Sequence, residues 1–80
     1  MGAHLQPLSG LAAGQAGTVD RIELPLDTRA RLLELGLVVG TPVQLVRFAP
    51  LGDPVEIKVR GSHLSLRRHE AYAIWVAAGG

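Results

Sequence analysis

Eighty residues with a formal net charge of +1, 48% hydrophobic and 4% aromatic side chains, and no cysteine make a short, nearly neutral, apolar chain. That length allows one domain, and the missing thiols exclude a disulfide framework, a thiolate nucleophile and a thiolate zinc site. The balanced charge removes the electrostatic footprint of a sequence-independent nucleic-acid binder, and the apolar fraction is too high for a disordered chain.

Ten glycines and five prolines cut the sequence into short pieces, which favours brief strands over long helices. Residues 1–7 lack the basic and apolar regions of a secretory leader, so a cytoplasmic location is expected. The longest unbroken apolar stretches, such as residues 11–13 and 24–26, fall far short of the roughly 20 residues a spanning helix needs. Residues 8–14 read as one helical turn or a loop. Residues 17–23 form the first expected strand, with Val19 inward and enough polar residues for an edge position.

Residues 26–36 carry the clear helix. Asp27 or Thr28 can accept from the free N–H groups of the first turn. Ala30, Leu33 and Leu37 recur at helical spacing and are expected to face the core. Gly36 stands where a helix ends in the left-handed conformation. Residues 41–49 are rich in β-branched and apolar side chains and open with Pro42, a residue suited to the start of a strand. The turn at residues 50–54 leads into residues 54–60, where Val55, Ile57 and Val59 alternate with Glu56, Lys58 and Arg60, so the two strands form a hairpin. A brief strand at 63–66, a single helical turn at 67–72 and a closing strand at 73–77 complete the chain, and Gly79 and Gly80 read as a frayed tail.

The expected architecture is mainly β: a small SH3-like barrel of about five short strands, with one short helix inserted between the first and second strands. Closing the sheet would dispose of edges that a small all-β domain cannot otherwise cover.

Catalysis finds no support. Ser9, Ser62 and Ser65 lack an adjacent His and Asp pattern, although His63 follows Ser62, and Gly10, Gly14 and Gly17 are not followed by a Lys-Ser or Lys-Thr pair. His63, His69 and Glu70 are the one cluster with ligands suited to ferrous iron or another transition metal, yet the gap of six between the histidines imposes no convergence, and a plain surface role stands beside it. No other cofactor is indicated. Lys58, Arg60, Arg67 and Arg68 form either a basic recognition face or charged outward positions that guard strand edges. Leu51 at the hairpin tip is either a protruding apolar contact or folded back on the hairpin. Leu32, Leu35 and Leu37 flank the helix core face, either as core or as the wall of a docking groove.

Three stretches in order resemble one family: residues 31–41 with Leu33-Glu34-Leu35-Gly36-Leu37, residues 49–61 with Gly52-Asp53-Pro54-Val55-Glu56, and residues 64–71 with Leu64-Ser65-Leu66-Arg67-Arg68. Together with the spaced leucines from Leu8 to the strand at Val19, they resemble FeoA proteins over residues 8–76, within a single domain spanning residues 1–80. The resemblance implies a non-catalytic cytoplasmic accessory protein of ferrous-iron uptake, with an SH3-like barrel. Its partner would be the cytoplasmic GTP-binding portion of a FeoB membrane transporter, with neither nucleic acid nor membrane insertion involved. On that reading Leu32, Leu35, Leu37 and Leu51 supply the contact, and Arg47, Arg67 and Arg68 its rim. The alternative is a metal-responsive regulatory domain like the SH3-like domain of metal-dependent repressors, with a divalent ion on His63, His69 and Glu70. A third reading, an adaptor for extended peptides, meets a chain poor in aromatic residues. A homo-oligomer paired along an edge at residues 41–49 is also open.

Overall fold

The computed structural model describes residues 4–78, and the expected tail at Gly79 and Gly80 lies outside them. Six strands form one antiparallel sheet: β1 (His4–Pro7), β2 (Ala16–Ile22), β3 (Pro42–Phe48), β4 (Val55–Val59), β5 (Ser62–Leu66) and β6 (Ile74–Ala78). A 3-10 turn at Leu8–Gly10 joins β1 to β2, helix α1 (Leu26–Glu34) lies between β2 and β3, and helix α2 (Arg68–Tyr72) lies between β5 and β6. The spatial order is β1-β6-β2-β3-β4-β5. Irregular register between Val19 and Arg21 on β2, and between Leu45 and Arg47 on β3, bends the sheet in the way extra strand residues do. The curled sheet encloses Val19, Leu45, Val55, Ile57, Val59, Leu66, Ile74 and Val76, all buried.

The alternation expected for the hairpin is present, with Val55, Ile57 and Val59 buried and Lys58 exposed. Three expectations need correction. The N-terminal segment supplies a strand of its own, making six rather than about five: β1 pairs with β6 from His4 opposite Ala78 to Pro7 opposite Trp75. Second, β2 is not an edge, since it lies between β6 and β3. Its polar residues occupy the solvent face that an antiparallel sheet can leave wet. Third, β3 is equally central, so residues 41–49 offer no free edge for pairing with a second copy. The ladder ends at β1 and β5, which are not joined, so the barrel is open along that seam. There α2 packs against the 3-10 turn.

Helix α1 starts after Pro25, without a side-chain cap; the Asp27 carboxylate instead accepts the neighbouring Thr28 N–H at 2.8 Å. Its end follows the sequence reading. Gly36 has φ +91°, its N–H donates to Leu33 O at 2.9 Å, and the Leu37 N–H donates to Leu32 O at 2.9 Å. This is the paired closure in which a left-handed glycine satisfies the last free carbonyls. It also folds Leu37 back beside Leu32, and both are buried. No helix among the described residues is long and apolar enough to cross a membrane.

Candidate docking surfaces

The leucines of α1 divide between core and surface. Leu32 is 0% exposed and Leu37 is 1% exposed, so neither can contact a partner, which corrects the expectation for both. Leu35, at the helix end, remains accessible. Leu33 is one residue from Leu32, about 100° further round the helix, and is 60% exposed. The spacing Leu26, Ala30, Leu33 and Leu37 does mark one face. Only Leu37 of these is core: Leu26, Ala30 and Leu33 instead wall an open groove of about 290 Å3, floored by the buried Leu37 and completed by Ile22, Val38 and Val39 with Arg29 on its lining. A nine-residue helix lying on a small sheet inserts a single side chain, Leu32, and leaves its remaining apolar stripe to solvent.

The second surface lies at the far end of the β3–β4 hairpin. Leu51 is 90% exposed at the tip and does not fold back. Beneath it, Ser9, Phe48, Gly52, Arg68, His69 and Tyr72 line a groove of about 530 Å3. The hairpin loop is fastened to α2 there: Asp53 Oδ1 accepts the Arg68 N–H at 2.9 Å. The Arg68 side chain lies over the loop glycine, its Nη1 3.4 Å from where a Cβ on Gly52 would stand. Arg47 and Arg67 are exposed, as a rim requires. Arg47, though, is already paired to Glu56 at 3.3 Å across the β3–β4 ladder.

Glu70 has a structural task. Its Oε2 accepts from Arg31 Nη2 at 2.6 Å, tying α2 to α1, and its Oε1 accepts the Arg67 N–H at 3.0 Å at the start of α2. Both carboxylate oxygens therefore have partners inside the fold. His63 stands on β5 opposite Lys58, whereas His69 is in α2. Among the described residues no group of three or more His, Asp or Glu side chains converges as a metal centre would require. Ser62 and His63 are consecutive in a strand, so their side chains leave opposite faces. On the outer face of β2 and β6, Glu23 accepts from Trp75 Nε1 at 3.0 Å and pairs with Arg21 at 3.2 Å, while the Arg21 guanidinium sits 5.3 Å from the Trp75 ring centroid. The Trp75 indole is thus committed to an internal cluster.

Sequence reasoning named Leu51 and Arg68 but missed Phe48 and Tyr72, which lie 24 positions apart and line one groove because α2 is fastened to the hairpin loop. It also placed Leu33 in the core. The signal that could have found it was the leucine excess itself: a short helix cannot bury Leu26, Leu32, Leu33 and Leu35 together.

The FeoA domain family model matches residues 6–78. The chain is 39% identical over 69 residues to the Fe(2+) transport protein A/Fe(2+) transporter FeoB fusion protein of Porphyromonas gingivalis (strain ATCC BAA-308 / W83), a match that covers 86% of this chain and 8% of the much longer fusion protein. The solution structure of the FeoA protein from Chlorobium tepidum superposes with a TM-score of 0.89 at 41% identity, covering 94% of this chain and 71% of that one. A manganese-dependent transcriptional repressor shares the fold alone, with a TM-score of 0.85 at 18% identity over 96% of this chain and 43% of its own. On the extent of the family match and the identity to its solved members, the chain belongs to the FeoA domain family.

Proposed function

We propose that this chain is a non-catalytic accessory domain of ferrous-iron transport that docks on the cytoplasmic GTP-binding portion of a FeoB-like transporter. One observation carries the reading: in the Porphyromonas gingivalis relative, a region 39% identical to this chain is part of the same polypeptide as a FeoB transporter. Fusion holds two modules at high effective concentration, an arrangement that serves domains working at one place. Where the two modules are not joined in this way, a surface must supply the same proximity. Here the exposed stripe of α1 and the hairpin groove provide apolar contact, and Arg68 lines the second of these, next in sequence to the exposed Arg67. Interfaces of this kind bury apolar and aromatic anchors within a polar, arginine-bearing rim. Regulation would follow if the domain bound two states of the transporter unequally, since a ligand shifts an equilibrium only by its differential affinity.

The test is ferrous-iron uptake by cells that lack this chain and carry the transporter. Re-supplied wild-type chain restores uptake, and a chain with Leu33→Asp and Leu26→Asp on the exposed α1 face restores less. Uptake that is indifferent to the chain's presence contradicts the reading.

A further inference from the structure

The hairpin groove has a chemistry that goes beyond the identity of the partner. Two of the chain's three aromatic side chains, Phe48 and Tyr72, line it together with Arg68 and His69. Tyr72 is 67% exposed, and Leu51 stands free above. Among the described residues no carboxylate lines this groove. The acidic groups on the surrounding elements are occupied: Asp53 by the Arg68 N–H, Glu70 by Arg31 and the Arg67 N–H, Glu56 by Arg47. Among the described residues the Arg68 guanidinium has no ion-pair partner, a state it shares with Arg29, Arg60 and Arg67, but of these four it alone lines this groove. An apolar, aromatic trough thus ends in an unmatched cation, held by a loop that is itself fastened to α2.

We propose that this groove binds an extended acidic segment of a partner protein, with an aliphatic side chain seated between Phe48 and Tyr72 and a neighbouring carboxylate on Arg68. A volume of about 530 Å3 suits a few residues of such a segment, within the range of roughly 300–1,000 Å3 over which small binding sites operate. Arg68 offers the planar fork that matches a carboxylate in two parallel hydrogen bonds. The backbone of Arg68 is already fixed by Asp53, so less freedom is lost when the ligand arrives. The peptide-adaptor reading suffered from a low aromatic content; the fold offsets this by gathering two of the three aromatics at one place. The inference rests on the docking reading only for the protein that carries the segment.

The probe is a fluorescent synthetic peptide alternating leucine with glutamate and aspartate, and the control is the same peptide with lysine at every acidic position. The acidic peptide binds and shifts the backbone amide resonances of Phe48, Gly52 and Tyr72, while the basic peptide does not. Arg68→Glu and Tyr72→Ala each weaken binding roughly ten- to a hundredfold, the scale of one lost charge-assisted or anchoring contact. Leu33→Ser on the other groove leaves it unchanged. Both altered side chains are exposed and the Arg68 N–H persists in the variant, so amide spectra of the wild-type pattern verify the fold. Equal binding of the two peptides, or wild-type affinity in both groove variants, overturns the proposal. The transporter's cytoplasmic region is titrated in parallel. If it ignores the wild-type chain while the acidic peptide binds, the docking reading fails and the groove stands. If it binds wild type and both variants alike while the peptide does not bind, the groove fails and docking stands.

Discussion

Leu32→Ala and Leu33→Ala alter adjacent residues of one helix and should behave as opposites. Leu32 is 0% exposed, and it is the single buried side chain of a nine-residue helix. Truncating such a leucine costs about 2–5 kcal/mol, the transfer free energy of the lost carbons plus the cavity left behind. A chain of this size has roughly 4–12 kcal/mol of stability in total, at about 0.05–0.15 kcal/mol per residue. The variant therefore loses a large fraction of it, and its melting temperature falls by roughly 8–40 °C, at about 4–8 °C per kcal/mol for a domain of this length. Helix α1 is too short to persist without packing, so its dichroism is lost with the tertiary signal. Leu33 is 60% exposed, and alanine is at least as good a helix former as leucine. Leu33→Ala should thus lie within about 0.5 kcal/mol of wild type. Thermal and urea unfolding followed by circular dichroism give both values. Equal destabilisation, or a larger loss at Leu33, would refute the assignment of the two faces.

Other substitutions test the remaining joints. Glu70→Ala leaves the Arg67 N–H without its acceptor and frees Arg31, and should cost about 1–3 kcal/mol in urea unfolding. Arg31→Ala removes a half-exposed partner and should cost less than about 1 kcal/mol; the reverse order would show that the ion pair, not the backbone acceptor, is what holds α2. Gly36→Ala forces a Cβ into φ +91° and to within 3.4 Å of the Arg60 side chain, so unfolding should show a loss of about 1 kcal/mol or more. Arg60 itself sits at φ 51° beside Gly61 in the β4–β5 turn. Arg60→Asn, which tolerates that conformation better, should raise the urea midpoint by the equivalent of about 0.5–1 kcal/mol, and a lowered midpoint would argue that the packing of Arg60 on Gly36 matters more.

What could be read from residues alone follows from how local each signal is. The alternation of Val55, Ile57 and Val59 is a period-2 pattern in one strand, and Gly36 is a single backbone requirement; both survive folding unchanged. The face of α1 was legible only in part. Leucines at 32, 33, 35 and 37 satisfy two helical faces at once, and the choice is made by the closing turn that folds Leu37 onto Leu32, a tertiary matter. β1 went unseen because His4, Gln6 and Pro7 lack strand character and are ordered by pairing with β6. β2 looked like an edge because its polar residues record one wet face, not a missing neighbour. For the surfaces, Leu51 and Arg68 stand out in sequence by type and turn context. The placing of Phe48 and Tyr72 on one groove depends on the tertiary fold, and no short-range pattern encodes it.

Docking to a ferrous-iron transporter is measured directly by calorimetric titration of this chain with the cytoplasmic GTP-binding region of a FeoB-like protein. The expected result is saturable binding that the Leu26→Asp and Leu33→Asp double variant, or Arg68→Glu, weakens without unfolding the chain. A folded wild-type chain that produces no binding heat, and no change in the region's GTP turnover, would contradict it.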